Sequence, residues 1–313
     1  MKILIFSVSF SFFYLLHLFF ILYYIISKAS KEIRIVKLCG GLGNQMFQYA
    51  YGKSLEHKLQ EKVLFDVSWY KYLNKKKNEK LTKREYGLGI FNLKISFPTK
   101  KQLKKCNNKT FEKKSYIYDE ELLQNKGSSY YVGYFQNEKY FKDIKDNIKK
   151  IYTFPKIQDT DKFNQQWLNK IKNVKNSVFI HIRRADYIYL DGWVLSMDYY
   201  KKAIEYIKKN VENPTFFIFC YQCKDYVEEQ FKLDDTIQFI GETNSINNEN
   251  WKDMVLMKEC KYAIIANSSF SWWAAWLGRA NEEGIVIAPS PFIKNNDEII
   301  CDNWIKINSN NSS

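Results

Sequence analysis

From residue 178 onward, short apolar runs alternate along the chain with longer amphipathic stretches. The apolar runs are rich in β-branched and aromatic residues, which predicts strands at Val178–Ile182, Thr215–Cys220, Thr236–Ile240, Tyr262–Ala266 and Gly284–Ala288. Apolar positions with helical spacing predict helices near Asp198–Lys209, Lys224–Phe231, Trp251–Glu259 and Phe270–Leu277. Strands that alternate with helices favour a parallel, doubly wound α/β sheet.

The first half shows the same pattern at its beginning. Ile33–Cys39 is predicted to be a strand, Gly40–Gly43 a turn, Asn44 to about Leu59 a helix, and Val63–Phe65 a second strand. Between Tyr70 and Asn125 the signals are mixed, and they predict no particular element. The polar stretch Lys156–Asn176 is interpreted as a linker between the halves. We therefore expect two α/β domains with a cleft between them, residues 31–170 and 171–313.

An uncharged stretch of 24 residues, Ile3–Ile26, precedes these domains. As a helix it would be about 36 Å long, enough to cross a bilayer. The stretch ends in bulky residues, Tyr23 to Ile26, instead of a small-residue cleavage site, which favours an uncleaved anchor over a signal peptide. Residues 1–30 are thus predicted to be a single-pass membrane anchor with residues 3–26 in the lipid. Its orientation stays open, because the positive-inside rule taken literally would keep the main domain cytoplasmic.

Composition excludes several classes of protein. Apolar residues make up 46% of the chain, which is ample for real cores and excludes a disordered protein. The net charge of +14 comes from lysines spread over the whole chain, without zinc-finger spacing or a basic helix, so no nucleic-acid partner is expected. Cys220 and Cys223 form a lone C-x-x-C without a second pair to complete a zinc site, and we expect buried free thiols.

The arginines carry the first chemical signal. Only five occur among 48 basic residues, and two of them, Arg183 and Arg184, are adjacent at the end of a predicted strand. A guanidinium group binds phosphate or carboxylate bidentately, and the carboxyl ends of parallel strands are where open α/β sheets bind ligands. Asp186 follows at the same place. The alternative is a structural arginine–aspartate pair that caps the strand.

Two further segments join a predicted strand to a predicted helix, where backbone N–H groups and the helix dipole favour anions. Gly40-Gly41-Leu42-Gly43-Asn44-Gln45 is one, but Met46 replaces the third glycine of a dinucleotide fingerprint, which argues against NAD or FAD. The other contains Asn267, Ser268, Ser269 and Ser271. A plain tight turn and ordinary helix capping are the structural alternatives.

No metal site is predicted. The one Asp-x-Asp pair, Asp159-Thr160-Asp161, lies in the polar linker and does not end a strand. The arginine pair is the better candidate to neutralise a leaving diphosphate, so we expect catalysis without a metal and without a cofactor.

The three motifs together resemble the signature blocks of the alpha-1,2-fucosyltransferases, glycosyltransferase family 11. The blocks begin at Gly40, His181 and Ile264, and the resemblance runs from about Ile33 to Trp304. It implies a GT-B-like fold of two Rossmann-type halves. It also implies inverting transfer of L-fucose from GDP-fucose to the 2-hydroxyl of a galactose-terminated glycan.

The resemblance also implies roles for individual residues. Arg183 would hold the β-phosphate, and Asp186 would be either the general base or the residue that orients the arginines, which makes Arg183 and Asp186 the catalytic candidates. The substrate-binding candidates are Gly41, Gly43, Asn44, Gln45, His181, Arg183, Arg184, Gln222, Asn267, Ser268, Ser269 and Ser271.

Two positions depart from the family pattern. Ala185 stands where glycine is usual, and the segment Cys220–Cys223 lacks the acidic residues expected after the strand, although Gln222 offers hydrogen bonds to a base edge. These departures keep alternatives open: another GDP-sugar donor, a different acceptor, or a membrane-anchored sugar-binding protein that has lost catalysis. Family members in animals are Golgi type II proteins, so the anchor favours the Golgi, with a bacterial inner membrane as the alternative.

Overall fold

The computed structural model describes residues 32–73, 84–124, 127–247, 249–293 and 296–310. The predicted membrane anchor, residues 3–26, lies outside these ranges. Within the described ranges, none of the helices combines the length and apolar character needed to cross a membrane. The described chain forms two parallel β-sheets, one from each half, as expected for an α/β protein.

The sheet of the first half has four strands in the order β2-β1-β4-β3. Neighbouring strands are parallel throughout. The strands are β1 Arg34–Lys37, β2 Val63–Asp66, β3 Lys109–Phe111 and β4 Ser129–Val132. Strand β1 lies between β2 and β4, and the chain runs from β1 to β2 on one side before it crosses to β3 at the opposite edge and returns to β4.

The sheet of the second half has six parallel strands in the order β10-β9-β8-β5-β6-β7. This is the doubly wound order of dinucleotide-binding folds, with its switch point between β5 and β8. The strands are β5 Ser177–Ile182, β6 Thr215–Cys220, β7 Ile237–Phe239, β8 Tyr262–Ile264, β9 Val286–Ser290 and β10 Ile305–Asn308.

Helices connect the strands in both halves. Those of the first half are α1 Leu42–Leu59, α2 Ser68–Leu73, α3 Lys100–Lys105, α4 Glu121–Gln124 and α5 Lys145–Ile151. Those that follow are α6 Lys162–Asn173, α7 Met197–Asn210, α8 Lys224–Gln230, α9 Thr243–Ile246, α10 Trp251–Glu259, α11 Ser269–Leu277 and α12 Arg279–Glu283. Short 3₁₀ helices span Leu88–Ile90, Glu138–Ile144 and Ala185–Tyr189.

The two halves share one apolar core. Phe47 of α1 packs against Trp272 and Trp273 of α11, with ring centroids 4.6 and 4.8 Å apart. Helix α11 is buried almost all round, as expected for a helix that is apolar on every face. Aromatic pairs of this kind contribute about 0.5–1.5 kcal/mol each beyond their buried area. Aromatic side chains therefore form the contact between the two halves at α1 and α11.

Strand β5 is buried on both faces. Val178, Ile180 and Ile182 pack into one apolar cluster, and Phe179 packs into the core that joins the halves. Alternate residues of β5 therefore face opposite sides of the sheet, as strand geometry requires.

Two expectations about local structure need correction. Lys156–Asn176 is not a simple linker, because residues 162–173 form α6, whose buried Ile171 belongs to the shared core. The helix spans the predicted boundary at residue 170. Cys220 and Cys223 are not free thiols: their Cα atoms lie 6.1 Å apart, within disulfide range, and the structure joins them in a disulfide.

Candidate active site

The carboxyl ends of β5 and β8 form the crevice at the switch point of the larger sheet. The predicted arginine motif follows β5 directly, and Asn267 and the serine block follow β8. The glycine-rich turn follows β1 in the other sheet. Two of the three motifs therefore lie at one edge of the larger sheet. The third, the glycine-rich turn, leads into helix α1, and α1 packs against α11.

An arginine–aspartate cluster occupies the end of β5. Asp186, in the 3₁₀ helix after the strand, accepts a hydrogen bond through Oδ1 from Arg183 Nη2. Its Oδ2 accepts from Nη2 of Arg84, at 2.8 Å. Arg84 lies 102 positions earlier in the chain, in the first half. One carboxylate thus holds a guanidinium group from each half of the protein.

Arg84 lies next to the glycine turn. A Cβ atom on Gly41, the residue that caps α1, would stand 3.3 Å from Arg84 Nη1, so a side chain at this position would crowd the guanidinium group. Burial and the nearby charge of Arg183 lower the pKa of Arg84. Gly41 and the first turn of α1 are therefore part of the same positively charged site.

Tyr187 connects the arginine cluster to the end of β8. The guanidinium carbon of Arg183 lies 5.1 Å from the centre of the Tyr187 ring, and the Tyr187 hydroxyl donates to the Asn267 backbone oxygen at 3.2 Å. The Asn267 side chain donates to the Trp193 backbone oxygen at 2.8 Å. Arg183 and Asn267, predicted from separate motifs, are thereby brought into one contact network.

Two buried polar atoms stand at the same sheet edge. His181 Nδ1 and Asn267 Oδ1 have no hydrogen-bond partner within the part of the chain that the structure describes. Burial, with a contribution from the charge of Arg183, lowers the pKa of His181 to about 3, so its imidazole is neutral at pH 7. Buried polar atoms are normally satisfied, and exceptions of this kind mark positions where a ligand can complete the hydrogen bonds.

The first turns of α1 and α11 meet directly. Ser269 Oγ donates to Asn44 Oδ1 at 2.5 Å, and Gln136 Nε2 donates to the same oxygen at 2.8 Å. Trp273 Nε1 donates to the Gly43 backbone oxygen at 3.0 Å. Asn44 and Ser269, which come from two separate motifs, are thus in direct contact, with the positive ends of two helix dipoles side by side.

Several predicted substrate-binding residues instead hold the backbone in place. Gln45 is fully buried, and its side-chain amide bonds to main-chain atoms of Gly40, Glu85 and Gly87. Gly43 is packed against the backbone of Ser269 and Phe270, where a Cβ atom would come within 2.6–2.8 Å. Ser268 caps α11 by accepting from Phe270 N. Ser271 is buried and turns back to the Ala266 and Ser268 oxygens. Their first task is structural.

Arg184 and Gln222 lie apart from the Arg183–Asp186 pair. The Arg184 guanidinium carbon stacks 3.9 Å from the centre of the Tyr226 ring. Both residues line a cavity of about 510 Å³ with Asp225 and Glu242. Gln222 is exposed and adopts a left-handed backbone conformation (φ 56°) between the two disulfide cysteines.

Asp161, the second acidic residue of the Asp-x-Asp pair, caps a helix and does not lie at the end of a strand. Asp161 caps α6 through the Asn164 backbone N–H and pairs with Lys252 at 2.8 Å. Across the described ranges, no group of three or more His, Cys, Asp or Glu side chains is arranged to hold a metal ion.

Arg84 is the site residue that the motifs missed. It lies in the stretch from Tyr70 to Asn125, for which the sequence predicts no element. The signal that points to it is the rarity of arginine: two of the five arginines in the chain, Arg84 and Arg183, share Asp186 at this crevice.

Comparison with known proteins identifies the family. Residues 30–308 match the profile described as Glycosyl transferase family 11. The chain belongs to glycosyltransferase family 11. It is therefore a glycosyltransferase, and the resemblance seen in the motifs is confirmed.

The relatives differ in the sugar that their names specify. An alpha-1,2-colitosyltransferase of Escherichia coli is 34% identical over 88% of this chain and 99% of its own length. A galactoside alpha-(1,2)-fucosyltransferase 1 of Leontocebus fuscicollis is 25% identical over 44% of this chain and 40% of its own length. Among solved structures, the fucosyltransferase NodZ from Bradyrhizobium has a TM-score of 0.47 and 9% identity, covering 80% of this chain and 94% of NodZ.

Proposed function

We propose that this family 11 enzyme transfers L-fucose from GDP-fucose to the 2-hydroxyl of a galactoside, with inversion at the anomeric carbon. The observation that carries the proposal is the convergence of Arg183 and Arg84 at the switch-point crevice, where they offer two positive charges beside one carboxylate. A GDP-sugar carries its negative charge on the diphosphate, and guanidinium groups suit phosphate oxygens.

The reaction needs little from the protein beyond placement and charge. The acceptor hydroxyl oxygen attacks the anomeric carbon from the face opposite the diphosphate, and the bond from that carbon to the β-phosphate oxygen breaks. GDP leaves with the bonding electrons, and the hydroxyl proton passes to a base or to water. Arginines that are already in place stabilise the negative charge as it develops on the leaving group.

Transfer of colitose from GDP-colitose is the second candidate. It is favoured by the 34% identity to the colitosyltransferase, which extends over 88% of the chain. The altered segment Cys220–Cys223, which borders the cavity beside Arg184, bears on which donor is accepted. Both candidates share the same leaving group and the same arginine cluster.

A donor screen separates the candidates. Purified protein is incubated with GDP-fucose, GDP-colitose or GDP-mannose and a β-galactoside acceptor, with and without EDTA. Released GDP and the linkage of the product, determined by NMR, are measured. We expect an α-1,2-linked 6-deoxyhexose product and unchanged turnover in EDTA, because arginines supply the positive charge a metal would bring. No release of GDP from any donor would support a sugar-binding protein without catalysis.

A further inference from the structure

Two arginine sites in the structure differ in the number of carboxylates that pair with each guanidinium group. Arg34 pairs with two carboxylates, Glu32 and Glu61, each at 2.5 Å, as a structural arginine is expected to do. At the crevice, two arginines instead share one carboxylate. There Asp186 is the one carboxylate that pairs with Arg84 and Arg183 within the described part of the chain. The crevice cluster therefore carries excess positive charge.

Excess charge in a partly buried cluster is costly unless an anion offsets it. The side chains of Arg84, Arg183 and Asp186 are 25%, 16% and 12% exposed, so water reaches them only in part. Burial and the charge of Arg183 also lower the pKa of Arg84, which shows that the two cations repel each other. An anion that binds here relieves this repulsion.

Both guanidinium groups keep N–H donors that Asp186 does not use. Asp186 contacts each arginine through Nη2 alone, and a guanidinium group has five N–H donors. The absence of a side chain at Gly41 keeps the other side of Arg84 uncrowded, and Gly41 is also the N-terminal end of α1, an 18-residue helix. The helix dipole adds to the attraction for a negative charge.

We propose that Arg84 is a donor-binding residue supplied by the first half of the protein, and that its guanidinium group and that of Arg183 bind the β-phosphate of the GDP-sugar together. Asp186 is then a positioning residue that holds both guanidinium groups in the crevice. This rests on the proposed function, because it takes the donor to be a GDP-sugar. It adds to that function a phosphate-binding residue, Arg84, from the first half of the protein, whereas the arginine motif lies in the second half.

The inhibition constants of GDP and GMP test the proposal, since GMP lacks the β-phosphate. Full-length Arg84→Gln is compared with the wild type in transfer assays. We expect the GDP constant to rise about 10- to 100-fold, the usual range for a lost hydrogen bond to a charged group, and the GMP constant to stay within about threefold. Arg84→Lys, which keeps the charge without the fork, should give an intermediate GDP constant.

A matched control removes the same charge elsewhere. Arg279→Gln breaks an exposed pair with Glu283 and should leave both constants unchanged. Equal losses for GDP and GMP in Arg84→Gln, or no loss, would overturn the assignment of Arg84. If Arg84→Gln does not fold, the GDP-to-GMP ratio of Arg84→Lys decides by the same criterion. Failure of the wild type to be inhibited by GDP would instead refute the proposed function itself.

Discussion

At the scale of single residues, we expect activity to be sensitive to the loss of the guanidinium group of Arg183. Arg183→Lys keeps the charge, but an ammonium group cannot reproduce the planar fork, which in the proposed function binds phosphate while it also contacts Asp186. We expect kcat to fall about 10²- to 10³-fold, as is typical for the loss of one strong transition-state donor. Arg279→Lys makes the same chemical change at an exposed pair. Near-normal turnover in Arg183→Lys would remove Arg183 from the mechanism.

Asp186 separates two hypotheses about its role. The sequence allows a general base or a residue that orients the arginines, and in the structure both carboxylate oxygens accept from guanidinium groups. This favours the orienting role. We therefore expect Asp186→Asn to weaken GDP inhibition about tenfold as well as to lower kcat, because two charge-assisted hydrogen bonds are lost. A steep fall in kcat with unchanged GDP inhibition would identify Asp186 as the base.

His181 should make the protein sensitive to acid. Its pKa is about 3 in the folded state against an ordinary value of 6.5, so folding favours the neutral ring. Its contribution to stability is complete above pH 6.5 and is lost as the pH falls towards 3. At pH 5 the loss is about 2 kcal/mol, from about 1.4 kcal/mol per pH unit.

Urea unfolding of the wild type and His181→Gln at pH 7 and pH 5 isolates this effect. The wild type should lose about 2 kcal/mol more of its free energy of unfolding between the two pH values than the variant does. Other carboxylates titrate in both proteins and cancel in the difference. An equal loss in both proteins would show that His181 becomes protonated in the fold without cost.

At the scale of helices, the contact between the first turns of α1 and α11 sets the spacing of the two halves. Gly43 makes this contact possible, since a Cβ atom would meet the Ser269 and Phe270 backbone at 2.6–2.8 Å. Gly43→Ala should therefore destabilise the fold by about 1–3 kcal/mol, the usual cost of overpacking. It should also weaken donor binding, because Asn44 and Ser269 can no longer meet.

Gly89→Ala is the matched control for that prediction. A Cβ atom there meets only Tyr86, at an ordinary 3.9 Å. The urea midpoints of the two variants and their inhibition constants for GDP are compared with those of the wild type. If Gly43→Ala unfolds at the same urea concentration as Gly89→Ala, the close approach of the helices is not limiting.

The same scale shows what sequence patterns predict well and what they miss. Buried strands such as β5 and β6 are continuous apolar runs, and both were placed within one residue. The edge strands β3 and β10 were missed because they are short or half-exposed, so their polar residues read as loop. Contacts between distant residues, such as Arg84 with Asp186, depend on the packing of two sheets, which no local pattern encodes.

For the whole molecule, the site is an interface between halves. Each half contributes a parallel sheet, a helix that begins at the crevice and at least one arginine, and Asp186 and the pair Asn44–Ser269 connect them. The aromatic contacts between α1 and α11 hold the two halves together. Donor binding should thus depend on both halves, although the paired arginines that suggest a diphosphate site lie next to each other in the second half.

How the molecule meets the membrane is the remaining prediction at this scale. We propose that residues 3–26 anchor the full-length protein, because this uncharged stretch matches the thickness of a bilayer. The protein should stay in the membrane pellet after alkaline carbonate extraction. Leu15→Arg with Leu16→Arg should release it, since each arginine at the centre of a membrane helix costs about 2.5–3.5 kcal/mol.

Leu15→Phe with Leu16→Phe keeps the stretch apolar and should stay in the pellet like the wild type. The intact mass of the purified protein distinguishes an anchor from a cleaved signal peptide, because cleavage would remove the apolar stretch. Inhibition by GDP should be the same in all three proteins, since the arginine cluster is formed by Arg84, Arg183 and Asp186 and not by residues 3–26. Carbonate extraction of the wild type, or a mass lacking the stretch, would contradict the anchor.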